Sequence, residues 1–286
     1  MSEWSCGWPA PAKLNLMLRV VGRREDGYHE LQTVFQFLQM ADTLDFRMRT
    51  DGQIQRASEM PGVSEEQDLT IRAARLLQAA VGENSGVDIR IEKKLPMGAG
   101  LGGGSSDAAT VLVALNRLWG CGLSGDDLAE LGLSLGADVP VFVHGQAAWA
   151  EGVGECIEAI ELPEPWFVVL VPASHVSTAT VFQDPDLTRD SPRITIRAFV
   201  AGDTRNDCLP VVRKRYPEVA QAIDWLSDFA DARLTGTGAC VFAGFDTQVA
   251  AKRVLAQLPT GKRGFIARGM NRSPLLDRLA EESRAQ

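Results

Sequence analysis

Residues 12–20 alternate without a break. Ala12, Leu14, Leu16, Leu18 and Val20 fall on one face, and Lys13, Asn15, Met17 and Arg19 on the other. Period-two alternation of this kind predicts a half-buried strand. Asp26-Gly27 marks a turn after it. Leu44, Phe46 and Met48 alternate again, and Asp51-Gly52 leads into Ile54, which predicts a hairpin. From Asp68 the period lengthens: Leu69, Ala73, Leu76, Leu77 and Ala80 recur at helical spacing up to Gly82, a suitable C-cap. Val87, Ile89 and Ile91 predict a further strand, and Ala108–Leu118 a helix that stops at Gly120. Ser124-x-x-Asp127 has the form of a capping box in front of another helix.

The second half has a different rhythm. Trp166–Pro172 reads as a buried strand, Ser177 as the cap of a short helix through Phe182, and Gln183–Ser191 as a surface loop. Leu209–Phe229 is helical with an interruption at Pro217. A strand at Cys240–Phe245, a helix at Thr247–Leu258 and a strand at Gly264–Ala267 close the pattern. Helices and strands mix without regular β-α-β alternation, so the expected class is α+β. At about 150 residues per domain, 286 residues suggest two domains. Gly152, Gly154, Pro163 and Pro165 cluster between them, and the expected units are 1–158 and 159–286.

Apolar residues make up 45% and charged residues 23%, a globular composition able to bury a core. A formal charge of −8 argues against nonspecific binding of nucleic acid, which needs a basic face. No run approaches the 18 or so apolar residues of a membrane span, and Trp166–Val171 is the strongest. The opening Met-Ser-Glu-Trp-Ser-Cys-Gly lacks the pattern of a signal peptide. Cys6, Cys121, Cys156, Cys208 and Cys240 are odd in number and scattered, which predicts buried small hydrophobes rather than disulfides or a zinc site. Together these features fit a reducing, cytoplasmic setting; a monomer or weak homodimer is the expected state.

The chemistry concentrates in Pro96-Met97-Gly98-Ala99-Gly100-Leu101-Gly102-Gly103-Gly104-Ser105-Ser106, between a predicted strand and a predicted helix. Glycines let main-chain amides approach a ligand, and the helix N-terminus adds partial positive charge at the same spot. A phosphate chain is the natural ligand. Gly104-Ser105 stands where a Walker loop has Lys-Ser/Thr, and the dinucleotide fingerprint lacks its acidic partner on a second strand.

This loop resembles the phosphate-binding loop of the GHMP kinases, the superfamily of galactokinase, homoserine kinase and mevalonate kinase. Pro11-Ala12-Lys13-Leu14-Asn15-Leu16, followed by Gly22-Arg23-Arg24-x-Asp26-Gly27-Tyr28-His29, is similar to the opening of one branch, the 4-diphosphocytidyl-2-C-methyl-D-erythritol kinases. Leu135–Phe142 and Leu234–Ala243 match further motifs of that branch, in the right order. The resemblance implies a two-domain fold with its active site in the cleft. It also implies transfer of the ATP γ-phosphate, with Mg²⁺ accompanying ATP, to the 2-hydroxyl of 4-diphosphocytidyl-2-C-methyl-D-erythritol on the non-mevalonate route to isoprenoid precursors. Another GHMP small-molecule kinase and a non-catalytic nucleotide-binding protein remain the alternatives.

Phosphoryl transfer to an alcohol needs a proton acceptor and charge stabilisation. Asp138, in Gly136-Ala137-Asp138-Val139-Pro140, is the candidate base, with a helix cap as its plain structural alternative. Lys13 is the candidate cation beside it, and Asn15, two residues on, shares its face and becomes a candidate substrate contact. By resemblance, Tyr28 and His29 meet the cytosine, Phe182 offers a second stacking face and Thr178 a polar contact. Lys93 or Lys94, beside the glycine loop, is a candidate contact to nucleotide or substrate. Gly236-Thr237-Gly238 can bring amides from the other half of the chain. No set of side chains has metal-ligand spacing. Asp68 stands where the branch commonly has Asn, which leaves its part in adenine recognition open, because an ionised Asp only accepts hydrogen bonds.

Overall fold

A computed structural model of the chain describes residues 3–25, 27–59 and 62–284. Asp26 of the predicted turn lies outside them; Gly27 takes the left-handed backbone, φ 89°, that such a turn requires. Two long antiparallel strands, β1 (Trp4–Arg23) and β2 (His29–Arg49), form the spine. The first half continues with β3 (Ile54–Arg56), α1 (Leu69–Val81), β4 (Gly86–Glu92), α2 (Gly103–Leu118), α3 (Gly125–Leu133), α4 (Val139–His144), β5 (Ala148–Gly152) and β6 (Cys156–Ala159). The second half holds β7 (Trp166–Leu170), α5 (Thr178–Gln183), α6 (Ile196–Val200), α7 (Leu209–Arg215), α8 (Pro217–Ser227), β8 (Arg233–Leu234), β9 (Val241–Phe245), α9 (Gln248–Leu255), β10 (Gly264–Met270) and α10 (Pro274–Arg284). The architecture is α+β.

One sheet path runs β3-β4-β2-β10-β7-β9-β8, with β1 and β5 also on β2. The two halves join where Gly269 and Met270 of β10 pair with Leu38 and Phe37 of β2. One apolar core gathers Trp8, Phe46, Ile71, Leu112 and Phe142, and another gathers Val168, Val181, Val212, Ile223 and Val241. A third, holding Leu14, Val34, Phe167 and Phe242, fills the seam between them. Each such side chain contributes about 1.5–3 kcal/mol on burial. Leu275 of α10 sits in the first core, so the chain's last helix returns to its first half.

Helix α1 follows the sequence signals closely. Asp68 accepts from Thr70 N at 2.9 Å, and Gly82 ends the helix at φ 66°. The capping box is present, with Asp127 N donating to Ser124 Oγ and Ser124 N to Asp127 Oδ2. Two expectations fail. The hairpin after β2 does not form: β4 lies between β2 and β3, and β3 pairs with it in parallel, because α1 carries the chain back to insert β4. Strand β1 is buried on both faces: Lys13, Asn15, Met17 and Arg19 are all at most 4% exposed. Polar partners make that tolerable, with Arg19 paired to Asp203 and Asn15 inside a hydrogen-bonded chain. The cysteine expectation also divides: Cys208 and Cys240 are buried, and burial pushes both thiols up to about 12, but Cys6 and Cys156 are exposed.

Candidate active site

A cleft of about 1120 Å³ opens between the two halves. Its floor is made by β1. Bulges on either side of the Lys13–Asn15 segment adjust its register against β2, and period two keeps the two side chains together. Lys13 Nζ donates to Asn15 Oδ1 at 2.6 Å and lies 3.1 Å from Asp138 Oδ2. Asn15 Nδ2 donates in turn to Thr33 Oγ1, which donates to Met17 O. The Lys13 side chain is 4% exposed and that of Asp138 33%, so the ammonium is fixed in the protein while the carboxylate opens to the cleft. Asp138 stands at the N-cap of α4, but its side chain makes no capping bond, which removes the plain structural explanation for it.

The glycine loop crosses this floor. Lys13 N donates to Leu101 O at 3.0 Å, and Cys240 N to Ala99 O at 3.0 Å. Thr235 Oγ1 accepts from Asn15 N and donates to Gly100 O, locking β1, the loop and the 234–240 turn together. Glycine is required here. At Gly100, φ is 80° and a Cβ would stand 2.6 Å from Thr235 O; at Gly102, φ is 73° and a Cβ would meet Phe142 Cζ at 2.8 Å. The helix begins at Gly103, five residues before the predicted Ala108, so Gly103–Ser106 already form its first turn. Gly98, Gly100, Gly102 and Ser105 face the cleft. Ala99, Leu101 and Ser106 are buried, and Met97 is exposed. Pro96, Met97, Ala99, Leu101, Gly103, Gly104 and Ser106 do not line the cleft, so the loop acts through alternate residues.

At the far end of the cleft, Tyr28 is 65% exposed. His29 stacks on Phe182, with centroids 5.0 Å apart and planes at 26°. Arg189 Nε donates to His29 Nε2 at 3.2 Å, a bond that needs the neutral imidazole. Burial, and then the charges of Arg189 and Arg23, lower the His29 pKa in the same sense. Thr178 Oγ1 lies 3.0 Å from Thr237 Oγ1 and joins α5 to the 234–238 turn.

The structure therefore brings Lys13, Asn15, Tyr28, His29, Asp138, Thr178 and Phe182 to one cleft. It does not bring Lys93 there: its ammonium lies behind the glycine loop, between Asp42 and Asp107. Lys94 pairs with Glu92 on the surface. Asp68 is 2% exposed and committed to Arg56 and Thr70, so its carboxylate acts as a helix cap. Sequence reasoning missed Arg189 and the bridging hydroxyl of Thr235. Thr235 stood in a visible Gly/Thr cluster, whereas Arg189 sits in a polar stretch with no periodicity. That stretch is less superficial than expected, since Asp184, Leu187 and Ser191 are buried.

Comparisons with known proteins identify the family of the chain. The profile of the GHMP kinases N terminal domain matches residues 68–146, and that of the GHMP kinases C terminal domain residues 193–262. The 4-diphosphocytidyl-2-C-methyl-D-erythritol kinase of Nitrosococcus oceani is 58% identical over 272 residues, which cover 95% of this chain and 97% of that protein. The enzyme of the same name from Alkalilimnicola ehrlichii is 58% identical over 280 residues, covering 98% of this chain and 96% of that one. A crystal structure of 4-(cytidine 5'-diphospho)-2C-methyl-D-erythritol kinase superposes with a TM-score of 0.79 at 34% identity, covering 91% of this chain and 98% of that one. The mevalonate kinase of Methanococcus jannaschii, at 15% identity, shares the fold, with a TM-score of 0.67 and coverage of 95% and 99%.

Proposed function

The chain belongs to the GHMP kinases and, within them, to the 4-diphosphocytidyl-2-C-methyl-D-erythritol kinase family, and from that premise we propose how its cleft works. It is a kinase with ATP as co-substrate. The γ-phosphoryl group passes to the 2-hydroxyl of 4-diphosphocytidyl-2-C-methyl-D-erythritol, giving ADP and the 2-phosphate, a step towards isoprenoid precursors.

The observation that carries this reading is the 3.1 Å pair of Lys13 and Asp138, set between the glycine loop and the aromatic end of the cleft. Asp138 accepts the hydroxyl proton as the oxygen attacks phosphorus. Lys13 stabilises the charge that develops there, and Asn15 and Thr33 hold Lys13 in place. The amides around Gly98, Gly100 and Gly102, with the N-terminus of α2, receive the phosphate chain. Tyr28 stacks on the cytosine, and His29 reads its polar edge. His29 and Phe182 already touch at 5.0 Å, so the base lies against this aromatic pair rather than between its rings. Mg²⁺ carried on the phosphates of ATP would supply charge neutralisation there, with Ser105, which lines the cleft, offering an oxygen donor to such a hard ion. The two units meet near residues 158/159, with α10 returning to the first, and each supplies part of the cleft: Lys13 and Asp138 from one, Thr178 and Gly236 from the other.

A coupled ADP-release assay tests the assignment, with the cytidyl alcohol, homoserine and mevalonate as acceptors and phosphorus NMR of the product. Turnover of the cytidyl alcohol alone, with phosphate on the 2-hydroxyl, is the expected result. Preference for homoserine or mevalonate, or no ATP turnover, would overturn it.

A further inference from the structure

Lys93 is the first residue beyond β4, and its ammonium is shared by two carboxylates from different elements. It pairs with Asp42 on β2 and lies 2.6 Å from Asp107 Oδ2 in the opening turns of α2. Asp42 is fully buried, and its other oxygen accepts from Lys94 N at 2.5 Å and Leu95 N at 2.8 Å, which turns the chain into the glycine loop. A Cβ built on Gly103 would lie 3.6 Å from Lys93 Nζ, so the ammonium rests against the start of the helix, behind the loop and away from the cleft.

We propose that Lys93, with Asp42 and Asp107, is the positioning residue of the nucleotide loop: it fastens the strand end before the loop to the helix turn after it. The inference rests on the phosphate-binding reading of that loop. Its role is geometric rather than electrostatic, because the carboxylates around the ammonium at least balance its charge and leave no net positive charge to attract ATP. Burying such a cluster stabilises little by comparison with apolar packing, so what it adds is a defined arrangement of the groups it joins. The middle of the loop is held by Lys13 N and Cys240 N. The cluster holds the two ends in one register, on which the aim of the intervening amides depends.

The test measures KM for ATP and for the cytidyl alcohol, with thermal stability, in wild type, Lys93→Met, Lys93→Arg and the double variant Lys93→Met/Asp107→Asn. Lys93→Met should raise KM for ATP about tenfold and leave KM for the cytidyl alcohol within about twofold. It should also melt earlier, because two carboxylates are left facing each other unpaired. The double variant removes that repulsion and should regain stability while keeping the raised KM for ATP. Lys93→Arg, whose fork can still reach both carboxylates, should recover most of the ATP affinity. A stable double variant with wild-type KM for ATP would overturn the positioning role alone, and so would equal rises in both KM values. A wild type without saturable ATP dependence would overturn the functional reading and this inference together.

Discussion

At the phosphate end of the cleft, main chain holds main chain: Lys13 N grips Leu101 O, Cys240 N grips Ala99 O, and Thr235 ties Gly100 to Asn15. At the base end, side chains hold side chains. Tyr28 stands 65% exposed beside Gly27, and His29 occupies itself with Phe182 and Arg189. On the function proposed above, the first end is preorganised for a group that every nucleotide shares, and the second, assembled from three separate stretches of chain, carries the discrimination. In a cleft divided in this way, substitutions at one end should leave the other end's affinity intact.

The largest effect belongs where the two ends meet. Asp138→Asn keeps the shape of the site but removes the proton acceptor, so kcat should fall about 10²–10⁴-fold with both KM values little changed. Steady-state kinetics decide this, and a kcat within threefold of wild type would remove Asp138 from the chemistry. Next in size is Gly102→Val, which breaks the phosphate end alone. A side chain at φ 73° meets Phe142 Cζ at 2.8 Å and Lys13 Cε at 3.0 Å. Overpacking of this kind costs about 1–3 kcal/mol. The variant should therefore melt earlier and lose binding of a fluorescent ATP analogue while still binding CDP; unchanged melting and unchanged ATP affinity would contradict the packing described.

The smallest effect lies behind the loop. Burial pushes the Asp107 carboxyl up to about 7 against the pull of Lys93, and neighbouring Asp42 adds to the rise. An unfolded Asp titrates near 3.9, so the native state binds more protons between about pH 4 and 7. Stability from this group is therefore fully present below pH 4 and is lost as pH rises through about 7. Asp107→Asn should flatten that part of the stability curve relative to wild type. Thermal melts from pH 5 to 8 check it, and parallel curves for the two proteins would show that Asp107 stays ionised throughout.

How far the sequence discloses this molecule depends on the range of the interactions involved. Helix α1 was legible from Asp68 to Gly82 because its caps and apolar spacing are local. The glycine loop was legible too, since strand, glycines and helix follow one another along the chain. The order of β3 and β4 was not, because pairing in parallel depends on a helix placed between them. The two-sided burial of β1 was hidden for a similar reason: the side chains of Lys13, Asn15 and Arg19 are met by Gly100, Asp138, Gly236 and Asp203, far along the chain. Helix α10 was missed although Leu275, Leu276 and Leu279 share a face, because the core it docks on is built from the first half of the chain, far away in sequence. Lys93 marks the same limit at the site. Its proximity to the loop was plain, but only folding reveals that Asp42 and Asp107 turn it away from the cleft.

The division of the cleft is tested most directly by calorimetry of CDP and ADP binding to wild type and Tyr28→Ala. Loss of a stacking ring costs about 1–3 kcal/mol, or roughly 5- to 150-fold in affinity. The account predicts that CDP binding weakens by that factor while ADP binding stays within about twofold. Weakened ADP binding with CDP spared would contradict it and reverse the two ends of the site.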